Sequence, residues 1–247
     1  MAGGARGCSV ADVLALIPAR KGSKGIPNKN FAPLCGPSPL ERAIRCACEA
    51  GIRHRVVSTD RWPLPFALLR MELHRPDETF GFEEHRSQTK YLRADAPLHT
   101  DTCPMIDVVK DALARIPGPP DQIIVLLQPS QPLRQPKHVK AAIELLEARG
   151  TSHGADAGCV ISVVPTESID KVYTRNDWEL WPCGRGVERR QDARPTFKRD
   201  GTVYAWRRSS YLYAHPWIAL DIDPRESCSL DTPEDWAEAE RRLRAQA

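Results

Sequence analysis

The sequence predicts an α/β domain built on a doubly wound, mainly parallel sheet. Three observations carry that expectation. Short apolar runs end in polar or glycine-rich residues, amphipathic stretches of helical period lie between them, and the connections are short. The 247 residues, 41% hydrophobic and 27% charged, suit one large domain (1–247) with a sizeable core.

Val13-Leu14-Ala15-Leu16-Ile17-Pro18 is a compact apolar run that reads as a buried parallel strand. A helix is expected from Leu40 to about Ala50, because Leu40, Ala43, Ile44 and Ala47 fall at i, i+3, i+4 and i+7. Residues 55–60 read as a second strand, 106–116 as a helix, 122–128 as a strand, 137–149 as an amphipathic helix and 158–164 as a β-branched strand. Residues 172–197 break into Trp, Arg, Pro and Gly without periodicity, which predicts an excursion from the sheet suited to a dimer arm. Strand character resumes at 202–206 and 217–222. A closing helix at 233–245 has Thr232 as its N-cap and Asp235 at its third position. A sheet of this type binds its ligand at the carboxyl ends of its strands.

Composition narrows the function. A net charge of +3, from 35 basic and 32 acidic residues, is too balanced for a nucleic-acid scaffold. No stretch approaches the roughly 20 apolar residues of a membrane span, and residues 1–7 have no hydrophobic signal core, so a cytoplasmic protein is expected. The eight cysteines lack CxxC spacing and read as free thiols, and the seven histidines are scattered without metal-ligand spacing.

The first strand delivers Arg20-Lys21-Gly22-Ser23-Lys24-Gly25-Ile26-Pro27-Asn28-Lys29-Asn30. Four cations and two glycines in these eleven residues are what a polyphosphate requires: glycine lets backbone N–H groups approach oxygens, and Arg and Lys offset the charge. The order is not that of a Walker A loop. On composition alone a solvated basic loop stays open.

The run from Leu16 to Asn30 resembles the signature of the acylneuraminate cytidylyltransferase family, the CMP-sialic acid synthetases and their relatives. Three further blocks follow in the family's order: 126–134 (Leu-Leu-Gln-Pro-Ser-Gln-Pro-Leu-Arg), 189–192 (Arg-Arg-Gln-Asp) and 230–235 (Leu-Asp-Thr-Pro-Glu-Asp). The resemblance implies a Rossmann-like nucleotidyltransferase fold that transfers CMP from CTP to a small acidic acceptor and releases pyrophosphate. It implies that Arg20, Ser23, Lys24, Lys29 and Asn30 hold CTP, with Arg20, Lys24 and Lys29 acting on the reacting phosphates. Arg93, Asp101 and Thr102 lie in the stretch that resembles the base-binding segment. Gln128, Arg134, Arg189, Arg190 and Gln191 fall to the acceptor, Asp231 to a magnesium ion, and the arm to a homodimer.

The sequence departs from the family's pattern in three ways. Ser229 stands where the first carboxylate of an Asp-x-Asp pair is expected, and Asp221 and Asp223 read as a solvent-facing edge more than as its replacement. Residues 61–92 form a longer stretch than the family leads one to expect, adding His74, Arg75, His85, Arg86 and Lys90. The arm before Arg189 is short, and Asp200-Gly201 replaces an Asn-Gly. These departures leave the acceptor open between a small phosphonate, whose oxygen is ionised near neutral pH, and a nonulosonic sugar acid, whose hydroxyl needs activation. A non-catalytic nucleotide-binding relative is the alternative of another class.

Overall fold

A computed structural model describes residues 13–23, 25–61, 63, 88–94, 98, 100, 102–153, 158–176, 179–185 and 189–246. Lys24, Asp101, His74, Arg75, His85 and Arg86 lie outside the described residues. The strands are β1 (Val13–Pro18), β2 (His54–Thr59), β3 (Gln88–Arg93), β4 (Ile123–Leu126), β5 (Cys159–Thr166), β6 (Tyr173–Asn176), β7 (Glu179–Pro182), β8 (Thr196–Arg207) and β9 (Trp217–Asp221). The helices are α1 (Pro39–Glu49), α2 (Met105–Arg115), α3 (Pro136–His153) and α4 (Pro233–Arg244).

Seven strands form one sheet in the order β3-β2-β1-β4-β8-β5-β9. β1 pairs in parallel with β2 and β4, and β5 with β9, while β8 runs antiparallel between β4 and β5. The sheet is therefore mainly parallel, as expected. Alternate residues of β1 serve opposite faces. Val13, Ala15 and Ile17 pack with Leu40, Ile44 and Ala47 of α1 and with Val139, Ala142 and Leu146 of α3. Leu14 and Leu16 pack with Val109 and Ala112 of α2. Helices thus cover both faces, which is the doubly wound arrangement.

Local chemistry explains the helix starts. Ser38 caps α1 by accepting the Glu41 N–H at 3.3 Å, and Glu41 returns by accepting the Ser38 N–H at 2.6 Å. Thr232 and Asp235 form the same reciprocal box at α4.

Two expectations are corrected. The stretch before Arg93 contains an unforeseen strand, β3, whose polar Gln-Thr-Lys sequence gave no apolar run to read. The 172–197 excursion lies off the main sheet as expected but is not without regular structure, since β6 and β7 pair in a sheet of their own, and β8 begins at Thr196 and not at Thr202. No helix among the described residues is long and apolar enough to cross a membrane.

Candidate active site

The carboxyl ends of β1 to β4 gather the first loop, Asp60, Arg93 and Gln128 along one edge of the sheet. β1 continues for one residue past Pro18, because the Ala19 N–H donates to the Ser58 carbonyl at 2.8 Å. The chain then turns outward, and the Lys21 N–H donates to Asp60 Oδ1 at 2.6 Å. Asp60 therefore serves as the loop's entry post. Asn30 closes the other end: its buried amide donates to the Arg20 carbonyl at 2.9 Å, and its own carbonyl accepts the Leu40 N–H at 3.0 Å. Asn28 sits at φ 53°, the left-handed turn that Asn tolerates better than most residues. Between these posts Lys21, Gly22 and Gly25 are exposed and Ser23 is half-buried, so the middle of the loop is available to an anion.

Lys29 reaches across 202 positions of sequence to Asp231. Its Nζ donates to the Leu230 carbonyl and lies 3.4 Å from Asp231 Oδ1. Ser229 Oγ donates to the other carboxylate oxygen, Oδ2, at 2.7 Å. The acidic loop is seated by Leu230, fully buried with Leu34 and Ala239 and packed by Ile26 of the phosphate loop. The Leu230 N–H donates to the Ser130 carbonyl at 2.9 Å, which ties this loop to the Gln128 block as well.

The donor set tests the magnesium expectation. Asp231 presents a carboxylate that is 68% exposed at the edge of the phosphate loop, where the oxygens of a bound nucleotide would complete a hard-oxygen shell. Ser229 adds only a hydroxyl. Among the described residues no cluster of three or more His, Cys, Asp or Glu could hold a metal by itself. Asp223 caps the short turn at Pro224–Glu226 through the Arg225 N–H at 2.8 Å, and Asp221 is exposed on the edge strand β9. The fit is therefore to a metal that arrives with phosphates.

Gln128 follows β4, and a bulge in β8 comes to meet it. Between Ile161 and Val163 of β5 the partner register on β8 jumps from Tyr204 to Arg199, so Asp200–Val203 loop out at the same edge. Ser162 Oγ accepts the Val203 N–H at 2.9 Å, and Asp200 Oδ1 accepts the Thr202 N–H at 3.1 Å. Gly201, at φ 81°, lies so close that a Cβ there would stand 2.9 Å from Gln128 Oε1. Gln131 donates to the Asp200 carbonyl while its buried Oε1 has no protein partner. The sequence placed Gln131 in the right block without singling it out.

Arg134 sits beneath this floor. Only 8% exposed, it donates to the Thr202 and Gln128 carbonyls, each at 2.5 Å, and so clamps β8 to β4. Burial pushes its pKa down to about 10. Its guanidinium acts on the walls of the pocket more than on its contents. Arg93 ends β3 exposed at the same sheet edge, opposite Thr59, and Thr102 is exposed with its Oγ1 3.2 Å from Thr100 Oγ1.

Arg189, Arg190 and Gln191 enter a short turn at Arg190–Asp192, where Arg189 grips Asp192 at 2.8 and 3.2 Å. Gln191 is exposed. This turn is anchored by a residue that sequence reasoning missed, Asp170. Its fully buried carboxylate receives the Arg194 side chain at 2.6 and 3.0 Å, the Arg194 N–H at 3.0 Å, and the N–H and guanidinium of Arg185 at 3.0 and 3.2 Å. These bonds, Arg194's side chain first and then the two backbone N–H groups, hold Asp170 far below the usual carboxylate range. The only local signal was Ser168 capping Asp170 two residues on. The described cysteines are free thiols, and burial pushes those of Cys46 and Cys159 up to about 11.

With this geometry in view, the likeness to known proteins is informative. Residues 14–62 match the family model described as Cytidylyltransferase. The chain is 28% identical to a CMP-N,N'-diacetyllegionaminic acid synthase of Legionella pneumophila, over 93% of this chain and 95% of that protein. It is 27% identical to an N-acylneuraminate cytidylyltransferase of Oncorhynchus mykiss, over 94% of this chain but only 50% of that protein, so the chain spans about half of that longer relative. The structure of a CMP:2-keto-3-deoxy-manno-octonic acid synthetase complexed with CTP superimposes with a TM-score of 0.64 at 15% identity, covering 95% of this chain and 99% of the other. The 4-diphosphocytidyl-2C-methyl-D-erythritol synthase of Anaerococcus prevotii gives 0.60 at 12% identity, covering 95% and 97%, and these two likenesses speak for the fold. A glycine- and lysine-bearing loop joined to an acidic loop at the carboxyl edge of such a sheet, in a chain with these relatives, makes the protein similar to the cytidylyltransferases, CTP-dependent nucleotidyltransferases that include the acylneuraminate enzymes.

Proposed function

We propose that the protein transfers CMP from CTP to a nonulosonic sugar acid and releases pyrophosphate. The observation that carries this reading is the Lys29–Asp231 contact, which brings the polyphosphate loop and the exposed carboxylate of the last loop together. In the reaction an acceptor hydroxyl oxygen bonds to the α-phosphorus and loses its proton to solvent, the bond from that phosphorus to the bridging oxygen breaks, and its electrons leave with pyrophosphate. Arg20, Ser23, Lys24 and Lys29 bind the phosphates and offset the charge that builds on the leaving group. Asn30 and Asp60 keep the loop in shape. Asp231 would hold a magnesium ion bound with the nucleotide, and such an ion would supply further charge neutralisation there. Arg93, Asp101 and Thr102 are the residues assigned to the base and sugar of the nucleotide.

The acceptor lies over Gln128, with Gln131 and the Asp200–Gly201 bulge as its floor, and with Arg189, Arg190 and Gln191 at its outer side. Arg134 holds that floor from below. The Legionella and trout relatives support a sugar acid, and nothing here supports the phosphonate. The enzyme works as a homodimer, a reading favoured by the β6–β7 hairpin, which forms a sheet of its own apart from the main one.

Pyrophosphate release from each of CTP, UTP, ATP and GTP, measured over N-acetylneuraminate, N,N'-diacetyllegionaminate, an eight-carbon 3-deoxy sugar acid and a simple phosphonate, tests the proposal. Turnover confined to CTP with a nine-carbon acid is expected. Turnover of the phosphonate alone would overturn the acceptor, and CTP binding without turnover of any acid would return the non-catalytic alternative.

A further inference from the structure

One cluster of charged side chains lies outside the site just described and yet grips the turn that leads into its acidic loop. Glu226 ends the short turn at Pro224–Glu226, five residues before Asp231. Its carboxylate receives Lys137 Nζ at 2.6 Å, Gln135 Nε2 at 3.2 Å and His138 Nε2 at 2.9 Å, all from the start of α3. His138 is 5% exposed, and its Nδ1 accepts the Gln135 N–H at 3.2 Å, which leaves Nε2 to carry the hydrogen that Glu226 takes. The lysine, then the histidine, keep Glu226 below its ordinary pKa. From the opposite side, Arg242 of α4 donates to the Pro224, Arg225 and Ser227 carbonyls at 3.1, 3.4 and 3.0 Å. The turn is thus gripped between the helix that follows the Gln128 block and the C-terminal helix.

What lies downstream of the grip is the Ser229–Asp231 loop, seated by buried Leu230, by the Ser130 carbonyl and Lys29, and by the Asp235 carboxylate of α4, which accepts the Asp231 N–H at 3.1 Å. A buried histidine oriented by a backbone N–H is a stiff strut, whereas the exposed Lys137 is not. We propose that Glu226 and His138 are a positioning pair that sets the Asp231 carboxylate against the phosphate loop, and that they transmit the placement of the acceptor block to it. This inference rests on the cytidylyl-transfer reading and on Asp231 as the carboxylate that meets magnesium. Groups that orient a metal-bearing carboxylate from behind control affinity for the ion more than the affinity of neighbouring subsites.

The test compares full-length Glu226→Ala, His138→Ala and Lys137→Ala with the wild type. The first two are expected to raise the magnesium concentration for half-maximal rate about tenfold while leaving the acceptor KM within about twofold, and Lys137→Ala to change neither by more than about twofold. Hydrogen exchange supplies a readout independent of turnover: addition of CTP and magnesium should protect amides 229–232 in the wild type and fail to do so in Glu226→Ala and His138→Ala, with β1 and β4 equally protected in all. Unchanged magnesium dependence in folded variants, or retained protection of 229–232, would overturn the proposal. If the wild type turns over no sugar acid, the functional reading fails, and the exchange result alone decides the positioning role.

Discussion

Gly25 and Asp231 touch backbone to backbone: the place a Cβ would occupy on Gly25 is already filled by the Asp231 carbonyl oxygen. The phosphate loop and the acidic loop are thereby spaced by the absence of a side chain. Gly25→Ala must push them apart, and a displacement near 1 Å at a reacting centre costs about 100-fold in rate. Pyrophosphate release should fall by about that factor in Gly25→Ala. Gly22→Ala is the control, since a Cβ there meets nothing within 4 Å, and it should lose far less. Equal losses in the two variants would mean that the contact does not matter.

The Ser229 hydroxyl donates to one oxygen of Asp231 and Lys29 flanks the other. Ser229→Asp replaces a donor by a second hard carboxylate, so with a sugar hydroxyl as acceptor it should lower the magnesium requirement and raise kcat. Asp231→Ala should lose about 100-fold or more in kcat/KM. Steady-state kinetics over a magnesium series checks both, and an Asp231→Ala enzyme with wild-type magnesium dependence would remove the carboxylate from the metal's surroundings.

Arg134 is predicted to matter for stability before it matters for binding. Arg134→Met fills much of the volume but takes its donor from the Thr202 carbonyl and leaves the Gln128 carbonyl with the Gln131 N–H at 3.2 Å, at about 1–3 kcal/mol for a buried acceptor left unmade. Urea unfolding should report a loss of about 1–3 kcal/mol. A variant of wild-type stability with a much raised acceptor KM would instead make Arg134 a direct ligand.

Asp170 sets an acid limit on the fold. Its native pKa is depressed while the unfolded chain's Asp titrates near ~3.9. The unfolded state therefore binds the proton first, so the stabilisation is complete above that value and drains away as pH falls below about 4. Thermal unfolding followed from pH 7 to pH 3 should show a steep late decline that is shallower in Asp170→Asn, whose Tm is already lower at pH 7. Parallel curves would refute the role.

The proposed dimer makes a separate prediction. Light scattering at micromolar concentration should give twice the chain mass of 27.6 kDa, and replacing residues 173–182 by a short Gly-Ser turn should yield a monomer. A monomeric wild type would refute it.

Much of this molecule could be read before it was seen, for reasons that differ from element to element. β1 announced itself because a strand buried on both faces is continuously apolar, and the loop after it stood out through the resemblance of residues 16–30 to a family signature, since its composition alone left a solvated basic loop open. The Thr232–Asp235 box was visible since capping is chemistry between residues three apart. β3 was not, because an edge strand reading Gln-Thr-Lys-Tyr-Leu-Arg borrows its pairing from β2 and shows no alternating apolar period of its own. The bulge that sets Gly201 against Gln128 depends on a partner strand about 40 residues upstream of it, and Asp170 draws its partners from 15 and 24 residues away. Such long-range pairings leave no local trace.

The order of the main sheet also bears on how the chain is made. β1 to β4 are adjacent in space and emerge first from the ribosome, so that half of the sheet, with its polyphosphate loop, can assemble during synthesis. β5 cannot join it until β8 has been translated, because β8 is the strand that lies between them. The floor under Gln128 accordingly forms after that half of the sheet, and the Asp231 loop later still, so a nascent chain halted before residue 207 would carry the glycine- and lysine-bearing loop without the carboxylate that Lys29 meets.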